Sequence, residues 1–282
     1  RDPGFNETSS SFMLAPAQDQ RVGIVGGGGV GDSEESTARF DVVDLGEAEP
    51  RYEPAAADYP SPARYLNAVT LPDDSTMLTG GSVGYRGNGQ SDLHLTTLYD
   101  PHSGHLDEVA PNEVGRNYHA TALLLPDGRV MTMGSDPLFS DEENTLPGKF
   151  ETRIEIYSPP YLFAGDRPEV TDAPDEVSRG SSFPVTTDGE VAEARLMRPS
   201  AVTHQTDPEQ RSIALDVRPA SCPETETGEP AAEQPADCPD GCCGSGSYEL
   251  GVPEEEGLTP NGWYMLVVVD EKGVPSPARW VY

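Results

Sequence analysis

RVGIVGGGGVGDSEE, Arg21–Glu35, poses the choice that decides the fold. Gly26, Gly28 and Gly31 satisfy G-x-G-x-x-G, the turn that lays a dinucleotide pyrophosphate on a helix N-terminus, and Asp44 stands near the place of a ribose-binding acid. The motif requires a helix after the glycines and a parallel strand after the helix. Asp32–Thr37 has no apolar positions at helical spacing, and Ala38–Leu45 already reads as a strand, so a crossover helix has no room. The nucleotide reading falls.

A repeat replaces it. Apolar runs enter glycine at Arg21–Gly27, Ser75–Gly81 and Arg129–Ser135, and Gly26, Gly80 and Gly134 each stand 54 positions from the next. Ala68-Val69-Thr70-Leu71-Pro72-Asp73-Asp74 precedes the second glycine strand and Ala122-Leu123-Leu124-Leu125-Pro126-Asp127-Gly128 the third, each a strand closed by a Pro-Asp turn. Downstream strands are expected at Ala38–Leu45, Leu93–Tyr99 and Thr152–Tyr157. Strand, turn, glycine strand, loop, strand is the blade of a kelch β-propeller, whose repeat is roughly 50 residues. The three glycine strands mark about three blades, whereas propellers close with roughly 4 to 8. The chain also opens Arg1-Asp2-Pro3 rather than on Met, and further blades are expected upstream.

Composition agrees with an all-β chain, since 29 glycines and 28 prolines punctuate 282 residues and no long segment keeps a 3.6-residue period. Against 49 Asp and Glu stand 18 Lys and Arg, for a net charge of −31, a surface that repels nucleic acid and anionic membranes. The simplest reading of that charge is a solvated, highly soluble exterior, for which a salty habitat is one source; an acidic surface made for a cationic partner is the alternative. No apolar run approaches the roughly 18 residues of a membrane span.

The glycine repeat stops after Gly165, dividing the chain into a propeller part, residues 1–165, and a second domain, residues 166–282. Strands are expected there at Phe183–Thr187, Glu193–Met197, Arg211–Val217, Ser247–Val252, Gly262–Asp270 and Ala278–Tyr282, the pattern of an immunoglobulin-like sandwich. Trp263–Val269 should form a central strand, with Trp263 and Trp280 in the core. An insertion at about 219–246 carries all four cysteines, Cys222, Cys238, Cys242 and Cys243. Two disulfides in any of three connectivities are expected, and a zinc or copper-delivery cluster is the alternative.

Several stretches carry a family resemblance: GRNYHATALLLPDGRV at Gly115–Val130, EIYSPPYL at Glu155–Leu162, RPSAVTHQTDPEQR at Arg198–Arg211, and GWYMLVVVD with GVPS at Gly262–Asp270 and Gly273–Ser276. They resemble the last propeller blade and the early-set domain of galactose oxidase and glyoxal oxidase, the copper radical oxidases. The resemblance runs from Arg21 nearly to the end and fails in the Cys-rich stretch. It implies copper held by Tyr118, His119 and His204, with Tyr118 as axial ligand and base toward the substrate hydroxyl. It further implies a primary alcohol, aldehyde or carbohydrate substrate, O2 as oxidant, H2O2 as product, and a secreted or cell-surface monomer. The family's cross-linked Cys-Tyr radical cofactor would come from sequence upstream of Arg21, so the chain alone is expected to be inactive.

The residue types suit the chemistry independently, because imidazole favours copper and a tetragonal site tolerates a loosely held axial oxygen. Consecutive strand residues point to opposite faces, so Tyr118 and His119 can share a metal only where the backbone turns. Tyr85, Arg86 and Asp136, in loops that leave the glycine strands, are candidate substrate contacts or mere turn formers. His94, His102 and His105 are expected on the surface. The competing function is a secreted propeller and sandwich module that binds polysaccharide or protein and performs no chemistry.

Overall fold

The structure is a computed structural model that describes residues 3–220 and 246–282; all four cysteines, and with them the disulfide expectation, lie outside the described residues. The chain forms two compact units, one of Arg1–Pro159 with Arg198–Ser212, the other of Pro160–Met197 with Ile213–Tyr282.

In the first unit, β1 (Ser10–Met13), β2 (Arg21–Val25), β3 (Phe40–Asp44) and β4 (Tyr52–Pro54) pair in sequence order as an antiparallel meander. The same order recurs in β5 (Arg64–Thr70), β6 (Thr76–Ser82), β7 (Thr96–Tyr99) and β8 (Leu106–Glu108). It recurs again, with three strands, in β9 (Thr121–Leu124), β10 (Val130–Met133) and β11 (Glu155–Tyr157). The innermost strands face the next sheet, β1 against β5 and β5 against β9, as propeller blades do. Phe12, Val25, Phe40, Leu66, Leu78 and Tyr99 fill the layer between the first two sheets, and Phe40 sits tilted on Tyr99 at 4.6 Å.

The antiparallel pairing of β2 with β3 confirms that the glycine motif turns a blade. Each repeat glycine has a left-handed φ: 64° at Gly26, 73° at Gly80 and 75° at Gly134. A Cβ there would meet the carbonyl oxygens of Ala63, Arg116 and His119 at 2.3, 2.7 and 2.7 Å, so glycine is required on two counts. The Pro-Asp turns also match. Leu71 and Leu125 donate their N–H groups to Ser75 and Arg129 at 2.8 Å, and Asp73 and Asp127 receive the N–H groups of Ser75 and Arg129.

The second unit is a β-sandwich with β12 (Val170–Asp172), β13 (Ser182–Thr187), β14 (Glu193–Arg198), β15 (Arg211–Ala214), β16 (Asp216–Pro219), β17 (Ser247–Gly251), β18 (Tyr264–Val269) and β19 (Arg279–Val281). One sheet has the order β12-β13-β17-β16 and the other β15-β14-β18-β19, so the apolar run of β18 is interior to its sheet, as expected. Two expectations fail. Arg211–Val217 is not one strand, because the chain passes from one sheet to the other at Leu215. Nor are the tryptophans core residues: Trp263 precedes β18 and is 56% exposed, and Trp280, on the edge strand β19, is 42% exposed.

Candidate functional site

Two tight turns of the first unit carry the residues in question. At the first, Ala120 donates its N–H to the Asn117 carbonyl at 3.0 Å, which makes Tyr118 and His119 the central pair of a β-turn. His119 has φ 62°, the left-handed third position that a type II turn reserves for glycine or asparagine. This turn answers the alternation problem, because the reversal lets neighbouring side chains lie together: the Tyr118 and His119 rings stack at 3.8 Å.

The second turn is a hairpin tip. Thr203 and Thr206 exchange both backbone hydrogen bonds at 2.9 Å, and the two residues between them, His204 and Gln205, have φ of 50° and 63°. Positive φ at both central positions is the signature of a type I′ turn, which favours Asn-Gly. Histidine and glutamine there are strained, and such strain persists where the surroundings hold it. Asp207 supports the hairpin by accepting the N–H groups of Ala201, Glu209 and Gln210 at 3.1, 3.1 and 3.0 Å. Gln210 docks on β5, accepting the Thr70 N–H at 2.9 Å and donating to the Ala68 carbonyl at 2.8 Å.

The structure brings all three expected ligands together. The His204 ring lies 5.1 Å from the His119 ring and 5.9 Å from the Tyr118 ring. Buried Gln205 joins the two turns: with its amide oriented to satisfy its neighbours, the oxygen accepts the His119 N–H at 3.1 Å and the nitrogen donates to the His204 carbonyl at 3.0 Å. His204 Nδ1 is 2.9 Å from the Thr203 hydroxyl, and His119 Nδ1 is 3.4 Å from Asp136 Oδ2. With each Nδ1 engaged, each Nε2 remains for a metal.

The first turn is pinned from behind. Asn117, fully buried, donates its backbone N–H to Ser135 Oγ at 3.0 Å and its side-chain amide to Asp92 at 2.6 Å. Burial pushes the Asp92 carboxyl above the usual carboxylate range, and the Asn117 hydrogen bond opposes it. Tyr65, buried, sets its ring edge-on to Tyr118 at 5.5 Å, and burial raises its phenol pKa.

Of the three candidate substrate contacts, Arg86 and Asp136 reach the cluster and Tyr85 does not. Tyr85 lies under the Arg64 guanidinium at 5.3 Å, while that fully buried arginine binds the carbonyls of Gly29 and Ser33. His94, His102 and His105 are exposed, as expected. Gln205, Thr203, Asn117, Asp92 and Tyr65 were not singled out from the sequence. Gln205 and Asn117 could have been, because each adjoins a candidate ligand.

Among the described residues no group of three or more His, Cys, Asp or Glu is placed to hold a metal; the donors that this cluster offers are two imidazoles and the Tyr118 phenol. Two imidazoles and a phenol, each imidazole with Nδ1 engaged, form a nitrogen and oxygen set that fits copper.

The galactose oxidase-like early set domain family matches residues 167–282. A galactose oxidase of Gibberella zeae is 31% identical over 158 residues, covering 54% of this chain and 22% of that protein. The aldehyde oxidase GLOX of Vitis pseudoreticulata is 34% identical over 169 residues, covering 54% of this chain and 31% of that protein. The solved structure of a fungal alcohol oxidase of the AA5 family, in complex with copper, superposes with a TM-score of 0.80 at 25% identity, over 98% of this chain and 54% of that one. The matches thus span less than a third of these two curated relatives and about half of the solved chain. Residues 167–282 thus match the galactose oxidase-like early set domain, and the chain as a whole is related to galactose oxidase and glyoxal oxidase, the copper radical oxidases.

Proposed function

We propose that this chain supplies the base and the two imidazoles of a copper centre that oxidises a primary alcohol, or an aldehyde as its hydrate, with O2 to give aldehyde or acid and H2O2. The observation that carries the reading is the convergence of Tyr118, His119 and His204, two of them in strained turn positions, within a cluster of rings no more than 5.9 Å apart. His119 and His204 would hold the metal through Nε2, with Tyr118 as the third donor. Copper, when bound, supplies one-electron exchange, and a cross-linked Cys-Tyr phenol contributed by sequence upstream of Arg21 would supply the second electron.

The chain's own residues handle the proton and the orientation. The Tyr118 oxygen would accept the substrate hydroxyl proton, which leaves an alkoxide ready to lose hydrogen from its carbon. Thr203 and Asp136 face the Nδ1 edge of each imidazole, which leaves Nε2 for the metal, and Gln205 joins the two turns. Turnover then needs the radical-forming residues as well, so the chain by itself would bind copper without oxidising substrate. The early-set domain and acidic surface fit a secreted enzyme, and among the described residues no helix is long and apolar enough to cross a membrane.

The test is copper stoichiometry and the Cu(II) spin-resonance spectrum of this chain. One nitrogen-coordinated copper per chain is expected; no tight copper would reject the proposal. A non-catalytic binding module is the second reading. It is favoured by the exposed aromatic pair Trp263 and Tyr282, edge to face at 5.4 Å, which offers a platform for a sugar ring.

A further inference from the structure

Arg86 and Asp136 stand in the loops that follow Gly81 and Gly134, where the sequence offered two readings, substrate contact or turn former. In the structure they are committed to each other. Arg86 Nη2 donates to Asp136 Oδ2 at 2.5 Å, and Nη2 and Nε donate to the Asp136 carbonyl at 3.1 and 3.3 Å. The two loops are stitched further by Leu138 N–H to the Arg86 carbonyl at 3.1 Å and Gly89 N–H to Asn144 Oδ1 at 2.8 Å.

The pair also grips the first turn. Asp136 donates its N–H to the Tyr118 carbonyl at 2.7 Å, and its Oδ2 faces His119 Nδ1 at 3.4 Å. The Arg86 guanidinium carbon lies 4.8 Å from the centre of the Tyr118 ring. The four residues therefore close a circuit: the carboxylate binds guanidinium and faces imidazole, and the guanidinium lies over the phenol ring. His119, at a φ that its backbone does not favour, needs such outside support to keep one ring orientation.

We propose that Arg86 and Asp136 are positioning residues, with Arg86 fixing the Tyr118 ring and Asp136 the His119 imidazole, rather than groups that grip substrate. The clamp deepens the oxidase reading and its catalytic consequence rests on that reading, but its geometry can be tested without metal. A planar guanidinium is needed to stack on a phenol and fork to a carboxylate together, so lysine cannot replace Arg86.

Two measurements decide it. In the metal-free chain, NMR should find the Arg86 side-chain protons shifted upfield by the Tyr118 ring and the Nε–H slow to exchange; Asp136→Ala should release both. Free-arginine shifts in the unaltered chain would overturn the clamp, whatever copper does. In the copper-loaded, full-length oxidase, Arg86→Lys should lower kcat by about 10- to 100-fold, the scale of a small misplacement, leave KM nearly unchanged, and alter the Cu(II) spectrum. A raised KM with kcat and spectrum intact would make Arg86 a substrate contact instead. Absence of copper from the unaltered protein would defeat the oxidase reading while the NMR result still decides the clamp.

Discussion

Tyr65 and His119 stand 54 positions apart, one full blade repeat, and both have φ of 62°. The repeat thus provides one left-handed position near the inner strand of each of these two blades. The second blade fills it with a buried tyrosine whose ring packs on Tyr118, and the third with the histidine that joins the cluster. The candidate ligand is a substitution within a repeated backbone device, so the blade register and the site are one piece of geometry.

Glycine substitutions test that register. A Cβ on Gly134 would press on the His119 carbonyl at 2.7 Å in addition to adopting φ 75°, whereas Gly31, at φ 68°, has nothing within 4 Å. Gly134→Ala should therefore destabilise the fold by about 1–3 kcal/mol or more and weaken copper binding, while Gly31→Ala should cost about 1 kcal/mol and spare copper. Urea denaturation with copper titration reads both. Equal costs would remove the carbonyl clash from the account.

Asp92 gives a pH dependence whose sign follows from burial. Its folded-state pKa is raised, so the folded protein binds the proton more tightly than the unfolded chain does. The stability it contributes is complete below the ordinary carboxylate pKa and is lost as pH rises through the raised value. Asp92→Asn keeps an acceptor for Asn117 and should flatten that part of the stability profile relative to the unaltered chain. An unchanged profile in the variant would assign the pH dependence to other groups.

The fold was legible in the sequence where chemistry forces a residue type. Gly26, Gly80 and Gly134 could be read because a left-handed φ against a carbonyl admits only glycine, and the Pro-Asp turns because Asp73 and Asp127 cap them. Tyr118, His119 and His204 were readable through flanking motifs, although the turns that unite them were foreseen only as a need. The Arg86 and Asp136 pair was not, because 50 positions separate them and only the folded loops bring them together. Trp280 misled because hydrophobicity does not say which face of an edge strand is covered, and Trp263 because it stands just ahead of β18, outside the buried part of that apolar run. The break at Leu215 was hidden because a strand that changes sheets keeps an unbroken apolar pattern.

Cys222, Cys238, Cys242 and Cys243 yield a prediction from composition alone. Four cysteines in an otherwise cysteine-free chain are expected as two disulfides in an oxidising compartment. Thiol titration under denaturing conditions, on protein exported to an oxidising compartment, should find no free thiol. Four free thiols accompanied by zinc would establish the metal cluster instead.

The central claim is that Tyr118, His119 and His204 hold one copper ion, and the type I′ turn at His204 supplies a clean test. Alanine at φ 50° would be strained, but asparagine is favoured there, so His204→Asn removes the imidazole while keeping or raising stability. Tyr118→Phe, which retains both imidazoles, serves as the control for copper and should cost the full-length oxidase about 10²- to 10⁴-fold in turnover. Copper stoichiometry with the Cu(II) spin-resonance spectrum of His204→Asn is the deciding measurement. The account predicts a folded chain without tight copper; a folded chain that keeps its full copper and an unchanged spectrum would contradict it.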